Sequence, residues 1–161
     1  MNDAVQPVIL DGQLRASIDE FLADYAHTID DGEVQRWPGF FHAEGRYQII
    51  TREGYEAGWP IGIMACDSRA MMEDRMLALE TANVFEPHTY CHVLSYASLR
   101  KEAGGVIRAR SNLSVVRTMQ DGRMETFAVG KYVDEISIDG DGHPKFLSRT
   151  VVLDARRVDI L

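Results

Sequence analysis

Two of the five histidines and one of the two cysteines lie close together as His88, Cys91 and His92, within the run FEPHTYCHVLS, and could be metal ligands. Zinc prefers imidazole and thiolate ligands, and histidines four residues apart share one face of a helix or of a strand. Pro87 and the β-branched and aromatic residues that follow it favour a strand, unlike the helical zinc-binding motif H-E-x-x-H. The sequence holds no second Cys/His pair to complete a tetrahedral site. We therefore expect no metal here, with His92 as a hydrogen-bonded interior or interface residue and Cys91 as a packing residue.

Four residues have types suited to proton transfer at carbon: Tyr25, Asp30, Tyr47 and His92. In an apolar cavity a carboxylate, phenols and an imidazole suit general acid–base chemistry, because burial raises a carboxylate pKa toward neutrality. Such a site would belong to an isomerase or a dehydratase. The alternative is that Asp30 is solvated at a helix end and that the tyrosines are core residues with polar tips. The residues alone leave both interpretations open.

Two charged groups are candidates for a binding surface. Arg108 and Arg110 alternate with apolar residues, which places the arginines on one face of a strand. That face is either solvated or partner-binding, since arginine is enriched at interfaces. The charged run at residues 73–75 is typical of a solvated helix face, with Arg75 as an alternative interface cation. The sequence does not separate these alternatives.

The first half of the chain is predicted to be largely helical. Apolar side chains recur with a helical period at Leu14, Ile18, Phe21, Leu22, Tyr25, Ala26 and Ile29. Asp11 is placed to cap this helix, and Gly32 is placed to end it. A short helical turn is predicted at Glu33–Trp37, ended by Pro38. The region therefore begins with one long amphipathic helix.

A strand, a loop and a second helix are predicted next. Arg46–Thr51 has the composition of a strand, and residues 52–66 are rich in Gly and Pro, which indicates a loop. Asp67 or Ser68 can cap a helix that runs to about Ala82.

The second half is predicted to be extended. Four strand-like stretches follow one another: Thr89–Arg100, Val106–Arg117, Thr126–Ile136 and Phe146–Leu153. The turn signals between them are Gly104-Gly105, Asp121-Gly122 and Gly140-Asp141-Gly142, which favour hairpins. Long antiparallel strands twist and curl. A curled antiparallel sheet around the long N-terminal helix predicts an α+β cone of the nuclear-transport-factor-2-like (cystatin-like) class.

Length and composition limit the possible functions. The 161 residues are enough for one domain, 1–161, whose first ten residues we expect to be a loose tail. The net charge, 17 − 25 = −8, disfavours nucleic-acid binding. Two cysteines make no disulfide framework, no apolar run is long enough for a membrane span, and the N-terminus lacks the features of a signal peptide. We expect a cytoplasmic protein.

Two runs of sequence resemble the small (beta) subunits of bacterial aromatic-ring-hydroxylating dioxygenases. They are TIDDGEVQRWPGFFHAEGRYQI and GWPIGIMACDSRAMMEDRMLALETANVFEPHTYCHVLS, within a likeness that covers about Leu14 to Val152. The most specific elements are Trp37-Pro38-Gly39-Phe40-Phe41, Tyr47, the Gly58-x-Pro60 loop, Asp67-Ser68, Asp74-Arg75 and His92. The likeness is nearest to the small subunits of terephthalate- and salicylate-type oxygenases. The sequence departs from the family at Cys91, where Arg is frequent, and at Tyr96, where Asn is frequent.

The resemblance implies that a large (alpha) subunit carries a Rieske [2Fe–2S] cluster and a mononuclear iron. The small subunit would carry neither, would self-associate as a trimer and would support a hexamer of three large and three small chains. The residues agree with this division of labour. A Rieske centre needs two cysteines and two histidines in paired motifs, and Cys66 has no histidine nearby. A mononuclear oxygenase iron needs two histidines and a carboxylate on one face, and only His88 and His92 offer such a pair.

The sequence therefore predicts a structural subunit, without catalytic, metal or cofactor-binding residues of its own, in a Rieske non-haem iron ring-hydroxylating dioxygenase of aromatic compound catabolism. The first alternative is a stand-alone cone-fold isomerase or dehydratase that uses Asp30 and His92. The second is a small-ligand-binding module without chemistry. The fold class alone does not decide among them.

Overall fold

The computed structural model describes residues 10–81 and 86–154. Its elements in chain order are α1 (Gly12–Asp30), a 3₁₀ helix (Val34–Phe40), β1 (Phe41–Thr51), α2 (Arg52–Glu56), β2 (Met64–Cys66), α3 (Arg69–Thr81), β3 (His88–Leu94), β4 (Ser98–Lys101), β5 (Ile107–Met119), β6 (Met124–Ile138) and β7 (Pro144–Leu153). The predicted loose tail, apart from Leu10, and the predicted helix end at Ala82 lie outside the described residues.

One sheet forms the frame of the molecule. Its strands lie in the order β2-β1-β7-β6-β5-β3, and β4 pairs with β5 beside β3. β1 runs parallel to β7, whereas the other paired strands are antiparallel. The predicted hairpins between β5, β6 and β7 are present, and their turns contain Gly122 and Gly142 at φ 84°. Only glycine adopts this conformation without strain, which explains the turn signals in the sequence.

The long helix α1 supplies one side of the core. Ile18, Leu22 and Tyr25 are buried in a single cluster with residues from every part of the sheet, among them Phe41 of β1 and Phe146 of β7. The 3.6-residue period of the apolar side chains places them all on the face that meets the sheet. The predicted α+β fold, an open curled sheet around a long N-terminal helix, is confirmed.

The capping residues predicted for α1 and α3 are in place, but not all of them make a capping hydrogen bond. Asp11 occupies the N-cap position of α1, but its side chain makes no capping hydrogen bond. Gly32 follows the helix at φ 75°, as expected of a residue that ends it. At α3, the Ser68 hydroxyl accepts a hydrogen bond from the Met71 amide at 3.3 Å, so Ser68 is the capping residue.

The predicted boundaries around Pro38 and residues 52–66 were wrong. The 3₁₀ helix continues through Pro38 to Phe40, and β1 begins at Phe41 with an irregularity in its pairing to β7 before Arg46. Residues 52–66 contain α2 and β2 rather than loop alone. The hydroxyl of Thr51 accepts from the Gly54 amide at 3.1 Å, an N-cap that starts α2.

The predicted strand Thr89–Arg100 is interrupted. β3 ends at Leu94 and β4 begins at Ser98, and both pair with β5. Between them the Ser95 hydroxyl accepts from the Asn112 amide at 2.8 Å, which satisfies a backbone donor of β5 at the break. No helix within residues 10–81 and 86–154 is long and apolar enough to cross a membrane.

Candidate functional site

The deepest polar feature of the molecule is an ion pair between Asp134 of β6 and Arg149 of β7. The two residues are register partners, and both side chains are 0–1% exposed. Arg149 Nε donates to Asp134 Oδ1 at 2.9 Å and Nη2 donates to Oδ2 at 2.8 Å, a bidentate arrangement. The sequence analysis did not identify this pair. A signal was present in the sequence, because Arg149 shares its strand face with Val151 and Leu153, which are buried.

Aromatic rings surround the Arg149 guanidinium. Its central carbon lies 3.7 Å from the ring centroid of Tyr132, 4.1 Å from that of Tyr25 and 4.2 Å from that of Phe146. These distances are those of cation–π contacts. Within the described part of the chain, Arg149 Nη1 is buried without a hydrogen-bond partner. The interior of the cone is therefore polar at its centre and aromatic around it.

Burial controls the ionisation of these groups. Burial raises the pKa of the Tyr25 and Tyr132 phenols, so both stay protonated at neutral pH. Burial also raises the pKa of the Asp134 carboxyl above its ordinary 3.8, and the Arg149 charge offsets part of that rise. Burial lowers the Arg149 pKa, but the Asp134 carboxylate, together with Tyr25 and Tyr132, raises it, and the net shift of the pKa is upward. These phenols therefore pack in the core in their protonated form and are not suited to act as bases.

Of the four candidate residues, the structure brings Asp30 and His92 together. Asp30 is the last residue of α1, and His92 lies in the edge strand β3. Asp30 Oδ1 lies 2.6 Å from His92 Nδ1, and the His92 backbone amide donates to Oδ2 at 2.8 Å. The side chains are 16% and 10% exposed. One carboxylate therefore fixes the imidazole orientation and ties the helix end to the strand.

The two predicted tyrosines lie beside Trp37 instead. Trp37 Nε1 donates to the Tyr25 hydroxyl at 2.9 Å, and the Tyr47 ring packs edge-on against Trp37 with centroids 5.0 Å apart. Burial raises the Tyr47 pKa well above its usual range. Among the described contacts, neither hydroxyl bonds to Asp30 or to His92. The four predicted residues thus form two separate groups.

The histidine–cysteine stretch of β3 serves mainly structural contacts. The His88 ring nitrogen Nδ1 lies 2.8 Å from the Glu86 carbonyl oxygen. The expectation that Cys91 is a packing residue was wrong, because its side chain lies on the exposed face of the edge strand β3. In the described ranges, the potential ligands that converge are Asp139, Asp141 and His143, in the exposed β6–β7 turn. There Asp139 Oδ1 accepts the Asp141 and His143 amides, at 3.0 and 2.8 Å. These bonds shape a turn.

A preordered apolar loop stands out on the surface. Trp59, Ile61 and Ile63, in the segment between α2 and β2, are 52%, 79% and 40% exposed. The Trp59 amide donates to the Gly54 carbonyl at 2.9 Å, and the Ile63 amide donates to the Ile49 carbonyl at 2.8 Å. We call residues 58–63 the Trp59 loop. Exposed apolar side chains on a fixed backbone are typical of a protein-binding surface.

Glycines let the Trp59 loop pack closely on the sheet. A side chain at Gly54 would come within 2.9 Å of the Trp59 ring, and one at Gly62 would come within 2.3 Å of the Ile49 carbonyl oxygen. The Gly58-x-Pro60 element of this loop is one of the residues that carry the family resemblance of the sequence. The exposure of the loop follows from the tertiary structure.

The predicted surface charges differ in their surroundings. Arg108 pairs with Glu102 and, at 2.9 Å, with Glu135. Neither Arg110 nor Arg75 forms an ion pair with any residue that the structure describes. Arg110 is exposed on the outer face of β5, which keeps it available to a partner.

An open curled sheet around one long helix defines a protein of the nuclear-transport-factor-2-like class. Residues 25–159 match the family model described as "Ring hydroxylating beta subunit". The chain belongs to this family of ring-hydroxylating dioxygenase beta subunits, as its sequence indicated. The family was predicted from the order and spacing of residues along the chain and not from a catalytic motif.

Individual proteins similar to this chain are also small or beta subunits of dioxygenases. The chain is 33% identical to the anthranilate 1,2-dioxygenase small subunit of Burkholderia cepacia, over 85% of this chain and 84% of that one. It is 34% identical to the beta 2 subunit of the terephthalate 1,2-dioxygenase terminal oxygenase component of a Comamonas species, over 88% and 91%. A solved structure assigned to a dioxygenase beta subunit of Novosphingobium aromaticivorans has 34% identity and a TM-score of 0.81, over 89% and 90%. The predicted likeness to a terephthalate-type subunit is confirmed.

Proposed function

We propose that this chain, acting as one domain, is the non-catalytic structural subunit of a Rieske non-haem iron ring-hydroxylating dioxygenase. The observation that carries the proposal is the family match over residues 25–159, which spans the whole sheet and the C-terminal end of α1. The partner is a large subunit, which holds the Rieske cluster and the mononuclear iron. The complex contains three large and three small chains, acts in the cytoplasm and oxidises an aromatic compound.

Two structural features support an assembly role. The core is a continuous cluster of aromatic and aliphatic side chains around a buried bidentate ion pair, which makes the sheet a stiff frame. The Trp59 loop presents apolar side chains from a backbone that is already ordered by hydrogen bonds to β1 and α2. Little conformational entropy is lost when such a loop binds, so it suits a permanent contact.

The alternative isomerase or dehydratase would use Asp30 and His92. The short contact between the Asp30 and His92 side chains is the observation that supports this alternative. The same contact has a structural explanation, because the Asp30 carboxylate also accepts the His92 backbone amide and so joins α1 to β3. Membership of the beta-subunit family favours the structural interpretation.

The deciding experiment is purification of the tagged chain from its own host, followed by native mass and iron determination. We expect a complex with a longer chain, a mass that fits three copies of each, and iron that stays with the longer chain after separation. The control is the Asp30→Asn variant, which should assemble and support turnover if the structural role is correct. A colourless homo-oligomer without iron would contradict the proposal.

A further inference from the structure

The strand β3 lies at one end of the sheet and has a free edge. Among the strands that the structure describes, β3 pairs with β5 alone. A free edge presents unpaired backbone N–H and C=O groups, to which another chain can add a strand. Such an edge needs protection when its sequence favours sheet formation.

The sequence of β3 favours pairing with other strands. Its seven residues, HTYCHVL, contain no proline, no glycine and no Asp, Glu, Lys or Arg. Segments of this length that are uncharged and rich in β-branched and aromatic residues pair readily between chains. Thr89, Cys91 and Val93 are exposed on the outer face of the strand. The strand therefore lacks the charged side chains by which edge strands commonly avoid pairing.

The hydrogen bonds around β3 show which of its backbone groups face outward. In an antiparallel pair, alternate residues direct both backbone groups toward the partner strand or away from it. The His92 amide bonds to Asp30 and so points away from β5. The Ser95 amide donates to the Asn112 carbonyl of β5 at 3.1 Å, as this alternation requires. Tyr90, two residues before His92, therefore also directs its amide and its carbonyl to the free edge.

Side chains of α1 occupy backbone groups of this edge. The Asp30 carboxylate accepts the His92 amide at 2.8 Å through Oδ2, and its Oδ1 lies 2.6 Å from the His92 ring nitrogen Nδ1. The carboxylate thus lies where the carbonyl of an added strand would lie. Near the other end of α1, Arg15 Nη2 donates to the Ala97 carbonyl at 2.6 Å, in the break between β3 and β4. A strand that displaced Asp30 would leave a largely buried carboxylate without its two partners, which is costly.

We propose that α1 shields the free edge of β3 and prevents it from pairing with the β3 strand of a second copy of this chain. Asp30 is the decisive group, because it occupies the outward amide of His92. At the start of the strand Pro87, which has no amide hydrogen, limits the edge from the other side. A second copy is the expected occupant of an unshielded edge, because its β3 carries the same uncharged, sheet-forming residues. The inference goes beyond the proposed function, because it concerns an association that the chain avoids.

The test measures the self-association of the full-length chain in three forms: unmodified, Asp30→Ala and Asp30→Asn. Analytical ultracentrifugation at low and high protein concentration gives the size of the species, and hydrogen exchange followed by NMR locates the contact. At low concentration, we expect the His92 amide of Asp30→Ala to exchange at least about tenfold faster than in the unmodified chain. At high concentration, we expect larger species than the unmodified chain forms, with slowed exchange at the Tyr90 and His92 amides. Asp30→Asn keeps a side-chain oxygen as acceptor and should behave like the unmodified chain.

A matched control separates exposure of the edge from loss of stability. Ile136 is fully buried in β6, which does not pair with β3. Either Ile136→Val or Ile136→Ala is used, whichever has the urea-denaturation midpoint nearer to that of Asp30→Ala. We expect this control to form no larger species than the unmodified chain does.

The outcomes that overturn the inference are distinct. If the matched control and Asp30→Ala associate equally, or if Asp30→Ala keeps the species size of the unmodified chain, the edge is not shielded by Asp30. If Asp30→Ala associates without slowed exchange at the Tyr90 and His92 amides, the contact lies on another surface. If Asp30→Ala does not fold, Asp30→Ser replaces it under the same criteria, because it leaves no carboxylate for the His92 amide. None of these results depends on a large subunit, so the inference and the proposed function fail separately.

Discussion

The buried ion pair gives the sharpest prediction about stability. Asp134→Ala removes the only carboxylate that contacts Arg149 among the described residues, and Arg149 is fully buried. A buried charge without its partner costs about 3–5 kcal/mol of folding free energy. The aromatic rings around the guanidinium remain in place and do not replace the two lost hydrogen bonds. We expect urea denaturation, followed by far-UV circular dichroism, to show a loss in that range.

The matched control replaces both partners. In Asp134→Leu/Arg149→Met no charge is left buried, so we expect the double variant to recover most of the stability lost in Asp134→Ala. The three measurements, with Arg149→Met alone, form a double-mutant cycle. A coupling energy below about 0.5 kcal/mol, within the usual additivity error, would refute the view that the two side chains act as one unit.

The pH dependence has a defined sign. In Arg149→Met the Asp134 carboxyl keeps its burial and loses the cation that lowers its pKa, so its folded-state pKa lies still further above the ordinary 3.8. A raised carboxyl pKa means that the folded state binds the proton more tightly than the unfolded state. Stability of this variant should therefore be highest near pH 4 and should fall as the pH rises through the folded-state pKa. Asp134→Ala, whose remaining guanidinium stays protonated, should lack that fall, and equal profiles for the two variants would contradict the argument.

Three further predictions concern other parts of the cone. Trp37→Ala should destabilise the chain by about 3–5 kcal/mol in urea denaturation and reduce assembly, because the ring is 6% exposed; unchanged stability and stoichiometry would contradict its core role. Asp30→Ala should cost about 1–3 kcal/mol, because the His92 amide loses its acceptor, and hydrogen exchange at that amide should accelerate. Gly62→Ala should displace the loop, because its Cβ would lie 2.3 Å from the Ile49 carbonyl oxygen, and should weaken large-subunit binding; affinity equal to that of the unmodified chain would count against the loop.

Local signals in the sequence were sufficient to predict most of the helices and strands. The apolar period of α1, the serine that caps α3 and the glycines of the hairpin turns each act within a few residues, so they can be interpreted without knowing the fold. One error had a local cause, and another depended on a contact between residues that are distant in the sequence. Thr51 was not recognised as a helix cap, and the Ser95–Asn112 contact that interrupts the β3–β4 stretch joins residues 17 apart.

The candidate site was predictable only in part. Asp30 and His92 were identified by residue type, but the sequence offered no means to separate them from Tyr25 and Tyr47, which contact Trp37 instead. The Arg149–Asp134 pair was missed because an inward-facing charge is disfavoured unless its partner is known. That partner is fixed by the register of β6 and β7.

The sequence by itself determined the family, the helix–sheet order and the hairpins, because turn chemistry and hydrophobic periodicity are short-range properties. The tertiary structure alone decided which polar groups meet. The parallel pairing of β1 with β7 and the Asp30–His92 contact between residues 62 apart both depend on where distant elements lie. Packing one face of the sheet against α1 fixes the register of the strands. The register in turn assigns successive side chains alternately to the core and to the outer face.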